Sequence, residues 1–127
     1  MNKNSSSKIP IIKLNDCLLV PIQVDMSDRM VQNLQNEILI EIEHCSAKGV
    51  LIDISVLEMV DSFIGRMLSG IARMASIMDA AVVIVGMQPA VAITLVELGL
   101  ELDNIDYALN MEDGMGLLGR LIEEREL

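Results

Sequence analysis

The chain has 127 residues, enough for one domain with a two- or three-layer core. Nineteen acidic against nine basic residues give a net charge of −10, which argues against nucleic acid or an anionic membrane as a partner, because both are held mainly by lysine and arginine. Apolar residues make up 52% with no Trp, one Phe and one Tyr, so the core must come from Ile, Leu, Val, Ala and ten Met, a soft but adequate set.

Residues 1–8 are polar, without the apolar segment of a signal peptide, and predict a flexible N-terminal tail ahead of a domain spanning 9–127. No run of 18 apolar residues occurs, and a cytoplasmic protein is expected. The aliphatic runs at 9–14 and 17–22 are separated by Asn15-Asp16 and predict an antiparallel hairpin. From Ser27 or Asp28 to about Ser46, Val31, Leu34, Ile38, Ile42 and Cys45 recur at three- and four-residue spacing. Arg29, Gln32, Glu37, Glu41 and Glu43 take the other faces, which predicts an amphipathic helix ending near Gly49.

Residues 50–54 and 81–85 are continuous apolar runs, as expected of strands covered on both faces. Between them Phe63, Ile64, Met67, Leu68, Ile71, Ala75 and Met78 describe a second helix. Gly65, Ser69, Gly70 and Ala72 cost it helix propensity but let a backbone approach closely. Pro89 suits the first turn of a third helix running to Leu98 and stopped by Gly99. An edge strand is predicted at 105–108 and a final helix at 111–127, although Gly114, Gly116 and Gly119 disfavour the latter. Residues 101–127 hold eight acids against two arginines, the pattern of a solvated face. The order implies an α/β fold with a mixed four- to five-stranded sheet and about four helices, undivided by any repeat or linker.

Asp61-Ser62 sets a hydroxyl beside a carboxylate at the head of the second helix, where N–H groups and the helix dipole favour added negative charge. Two uses fit such a pair: capping of the helix, and regulatory phosphorylation of Ser62. Hydrolytic catalysis by Ser62 would need a base, but the one histidine is His44, near the end of the first helix, and no G-x-S-x-G elbow is present. His44 and Cys45 are adjacent and face different directions on a helix, so neither a metal site nor a cofactor is expected there. Cys17 and Cys45 form no C-x-x-C pair and read as reduced thiols. Gly86-Met-Gln-Pro is too sparse in glycine to cradle a phosphate. Asp53 closes the strand before Ser62. It can be read as a receiver-like phosphoacceptor or as a residue that holds the loop by accepting backbone N–H bonds. The receiver reading would need a pair of acids after the first strand and a late lysine, whereas Asp16 stands alone and no lysine follows Lys48.

Five segments carry a resemblance. They are the Ile-Asp-Ile-Ser strand end at 52–55, the Met-Val-Asp-Ser-Phe junction at 59–63, and the stretch from Gly86 to Gly99 with its Gln88-Pro-Ala-Val-Ala core. The Ile9-Pro-Ile-Ile-Lys-Leu start and the Cys17-Leu-Leu-Val strand complete the set. With the order of elements, these resemble the STAS family of anti-sigma-factor antagonists, and within it the RsbS-type scaffold branch of the bacterial stressosome. The resemblance implies a non-enzymatic domain that assembles with paralogous STAS sensor subunits of the RsbR type into a large shell. It also implies that the domain holds a switch serine kinase of the GHKL class, the RsbT type. Phosphorylation would release that kinase to activate a downstream phosphatase in a stress-response cascade, and a phosphoserine phosphatase completes the partners. The family's phosphoacceptor falls on Ser62, preceded by Asp61. Glu58, Met59, Val60, Phe63 and Asp53 are then the residues expected to support the site or face the kinase. Met59, Val60 and Met87 are expected in loops, as part of an apolar assembling surface. The alternative within the family is a free-standing antagonist that binds an anti-sigma kinase.

Overall fold

The computed structural model describes residues 9–23, 26–99 and 105–126; the predicted tail at 1–8 lies outside the described residues. Strands β1 (Ile12–Leu14) and β2 (Cys17–Pro21) form the expected antiparallel hairpin, with Ile12 opposite Leu19 and Leu14 opposite Cys17. Asn15 turns the chain between them at φ 53°, a conformation that asparagine tolerates better than most residues. Helix α1 (Asp28–Cys45) starts where Ser27 Oγ accepts the Met30 N–H at 3.2 Å. It stops at Ser46, which enters the left-handed region at φ 52° while Ala47 N–H reaches back to Ile42 O at 3.0 Å. Gly49, expected near the helix end, instead opens strand β3.

The remaining elements are β3 (Gly49–Asp53), α2 (Ser62–Ile77), β4 (Ala81–Val85), α3 (Pro89–Glu97), β5 (Asp106–Ala108) and α4 (Met111–Arg125). The sheet runs β1-β2-β3-β4-β5, with β2 to β5 parallel. Parallel strands laid down in spatial order through crossovers of one hand leave their crossover helices on one face. Alternation along the strands then divides the core. Leu18, Val20, Val50, Ile52, Val82 and Ile84 join Val31, Leu34, Ile38, Leu68, Ile71 and Val91 from α1 to α3. Leu51, Ala81, Val83 and Val85 cluster with Leu118 of α4 on the other side. Two covered faces are why β3 and β4 read as unbroken apolar runs.

The glycines of α4 have different reasons. A Cβ on Gly114 would run into Val85 and Leu51, and one on Gly49 would come within 2.7 Å of Leu118, so both glycines let the helix lie close against β3 and β4. Gly119 has open space around it, and the nearest group to a Cβ on Gly116 is Arg120 Nη1 at 3.9 Å. Surface pairs Lys48–Glu126 and Arg125–Asp79 (3.2 Å) add small increments at the end of α4. Asp106, Glu112, Asp113, Glu123, Glu124 and Glu126 are exposed, as a solvated acidic face requires; Glu101 and Asp103 lie outside the described residues. No helix among the described residues is long and apolar enough to cross a membrane.

Candidate functional site

Asp53, Val85 and Ala108 end their strands at one edge of the sheet, the carboxyl edge at which open α/β sheets place their sites. Residues 54–61 leave β3 there and lead into α2. Asp53 Oδ1 accepts the Ser55 N–H at 2.9 Å, an Asx-type turn that engages its carboxylate in holding the loop. Ile54 N–H continues the sheet by donating to Val85 O, and Leu57 N–H donates to Ile54 O, both at 3.0 Å.

Side chains along this loop diverge. Leu57 and Val60 are 8% and 5% exposed and turn inward, whereas Val56 is 51% and Met59 84% exposed, with Glu58 also outside. Val60 therefore does not occupy the exposed position expected of it. The loop is short and folds back over the core, so the apolar Val60 side chain is anchored there among buried residues. Met87 differs in the same sense, being half-buried and packed against that core. Met59 is left as the exposed methionine of the three.

Asp61, with extended backbone at φ −94° and ψ 178°, is the cap of α2: Oδ1 accepts the Ile64 N–H at 2.9 Å and its carbonyl accepts Gly65 N–H at 3.0 Å. Ser62 is the first helical residue. Of the amides that a helix start leaves without an intrahelical acceptor, that of Ile64 is thus taken by the Asp61 carboxylate, while Gly65 N–H makes the first regular helical bond and the Ser62 and Phe63 amides stand at the positive end of the dipole. The two uses open to Asp61-Ser62 separate: the carboxylate caps, and the hydroxyl is not committed to the cap. Ser62 is half-buried beside Phe63, which packs against the core.

The neighbouring β4–α3 turn also reaches this loop. Gly86 sits at φ 80°, and a Cβ there would come within 2.7 Å of Ser55 Cβ. Gln88, the residue preceding α3, directs its side chain away from that helix and donates from Nε2 to Ser55 O at 2.9 Å. From sequence, Gly86-Met-Gln-Pro fails as a phosphate cradle and Gln88-Pro-Ala-Val-Ala carries part of a resemblance, but neither reading gives Gln88 a role at the site. The available signal was a glutamine before Pro89, where an α3 cap of the usual Ser, Thr, Asp or Asn type is lacking.

Elsewhere, His44 is exposed in the last turn of α1, and Cys45 Sγ donates to Glu41 Oε1 at 3.3 Å. Cys17 pairs with Gly49 at the opposite end of the strands from Ser62. Burial, then the charge of Asp16, pushes its thiol pKa up. Both cysteines are free.

The family model for the STAS domain matches residues 8–113. Among solved structures, a serine-to-glutamate variant of RsbS from Moorella thermoacetica is 40% identical with a TM-score of 0.81, covering 91% of this chain and 97% of that one. A chain from the stressosome, described as a signal integration and transduction hub, is 42% identical with a TM-score of 0.78, at 88% and 97% coverage. The anti-sigma factor antagonist SpoIIAA in its unphosphorylated form shares the fold at 12% identity, with a TM-score of 0.72 and coverage of 88% and 96%. No curated protein matches the chain.

Proposed function

Because the chain belongs to the STAS domain family, with its likeness to RsbS extending over nearly its whole length, we propose that it is a non-enzymatic scaffold subunit of a stressosome-type assembly. In this reading it holds a switch serine kinase of the GHKL class and releases it when Ser62 is phosphorylated. The observation that carries the proposal is the division of labour at the head of α2: Asp61 makes the cap bond, so Ser62 can be modified without dismantling the helix start. The relative that is a serine-to-glutamate variant supports the reading, since a negative charge in place of a serine is compatible with this fold.

Electrostatics supply the release. Phosphorylation adds about −1.5 to −2 charges at pH 7 next to Asp61 and Glu58. The first amides of α2 stabilise that charge within the domain. A partner seated on Met59, Ser62 and Phe63 must instead desolvate it, which favours dissociation. RsbR-type sensor subunits, an RsbT-type kinase and a phosphoserine phosphatase are the partners of this reading, in the cytoplasm.

The test is incubation with a cognate GHKL-class serine kinase and ATP, followed by phosphopeptide mapping, with light scattering of the protein alone and mixed with sensor STAS subunits. Phosphate on Ser62, its loss in Ser62→Ala, and a large mixed assembly are expected. Undiminished incorporation into Ser62→Ala would overturn the assignment of the site, and monomers in every mixture would overturn the scaffold.

A further inference from the structure

We propose that Gln88 is a positioning residue for Ser62: from the β4–α3 turn it clamps the loop that presents the hydroxyl. The proposal rests on Ser62 being the phosphoacceptor. Its basis is that both backbone polar groups of Ser55 are held by side chains from the ends of two neighbouring strands. Asp53, at the end of β3, accepts the Ser55 N–H at 2.9 Å, and Gln88, just beyond β4, donates to the Ser55 carbonyl at 2.9 Å. Gly86 makes the approach possible, because at φ 80° and without a side chain it lies against Ser55, where a Cβ would collide with the Ser55 Cβ. Gly86 N–H in turn donates to Ala108 O at 3.3 Å, so the clamp is braced against β5.

Downstream of Ser55, the loop is attached by the side chains of Leu57 and Val60, while Val56, Glu58 and Met59 are exposed. Without Gln88 the Ser55 carbonyl would lose its side-chain donor, and beyond the Ile54–Val85 hydrogen bond the loop would lose this tie to the β4–α3 turn. In phosphoryl transfer the Ser62 oxygen bonds to the γ-phosphorus as the bond to the β-bridging oxygen of ATP breaks; ADP leaves and the hydroxyl proton passes to a base of the kinase. That step is governed by positioning, so a loop free to move lowers its rate more than it lowers binding.

The experiment compares wild type with Gln88→Ala and Gln88→Glu, the latter keeping the length of the side chain while losing its donor. Amide hydrogen exchange is read at Ser55 and Leu57, with Leu118 as a reference in the core, and phosphorylation kinetics use a cognate GHKL-class kinase with ATP. Both variants should exchange roughly tenfold faster at residues 55 and 57 with Leu118 unchanged. Their kcat for Ser62 should fall roughly tenfold, with KM for the protein substrate altered much less. Unchanged exchange in both variants would overturn the clamp, and so would wild-type behaviour of Gln88→Glu, since bulk alone would then suffice. Faster exchange with an unchanged kcat would overturn the positioning role. Absence of phosphate on Ser62 in the wild-type control is a separate result that removes the phosphoacceptor reading, and the positioning role with it.

Discussion

The Asp61 carboxylate accepts the Ile64 amide at 2.9 Å across the first turn of α2, and Ser62 lies between them with a hydroxyl that the cap does not use. Helix stability and modification chemistry are therefore assigned to adjacent residues. Substitutions can separate them.

Asp61→Ala removes the cap and should cost about 1 kcal/mol, lowering Tm by about 4 °C in a domain of this size. Asp61→Asn keeps an oxygen for the Ile64 amide and should retain most of that stability. Phosphorylation of Asp61→Asn is expected to be slower than wild type in a kinase assay. An equal rate would leave Asp61 with the capping role alone.

Ser62→Asp should fold normally, since a carboxylate at the first helical position suits the dipole, yet bind the kinase more weakly than Ser62→Ala. Calorimetric titration of both folded variants measures the difference. Aspartate carries less charge than a phosphate, so partial weakening is the expected outcome, and identical affinities would refute an electrostatic release.

On the far face of the sheet, Gly114→Ala places a methyl group against Val85 and Leu51 and should destabilise by roughly 1–3 kcal/mol, the usual cost of overpacking. Gly119→Ala meets open space in the same helix and should stabilise by about 0.5–1 kcal/mol through backbone entropy. Urea midpoints moving in opposite directions would verify the contrast, whereas two stabilising substitutions would mean that α4 does not pack closely at Gly114.

Burial and the neighbouring Asp16 hold the Cys17 thiol pKa above its ordinary value. The folded state thus keeps its proton to higher pH than the unfolded chain. Above the ordinary thiol pKa of about 8.5, the unfolded chain has released a proton that the native state retains, so stability is complete below that pH and declines as pH rises through it. Urea midpoints followed from about pH 7.5 to about pH 10 should fall more steeply for wild type than for Cys17→Ala. Tyr107, whose pKa is raised by burial and by Asp106, adds to the decline in the same sense at higher pH in both proteins. Parallel curves would place the alkaline loss on groups other than Cys17.

Much of this molecule is legible in the order of its residues. The Asn15-Asp16 hairpin, the spacing from Val31 to Ile42, the unbroken runs of β3 and β4 and the Pro89 helix start are local signals, because hydrophobic period and turn chemistry act over a few residues. The Asp61-Ser62 pair also declared itself as a helix head in this way. Which of its two residues caps was decided by backbone geometry: the extended conformation falls on Asp61, so its oxygen alone is set to meet the Ile64 amide. The tertiary structure likewise decided that Val60 turns inward, joining the core cluster beneath the loop, while Met59 stays exposed. Gln88 reaches Ser55 across 33 residues of sequence, and Gly114 lies on Val85 from the opposite face of the sheet. Neither contact has a periodic signature, since each depends on where parallel strands end and how closely a helix approaches them. Those distances are set by packing of the whole domain.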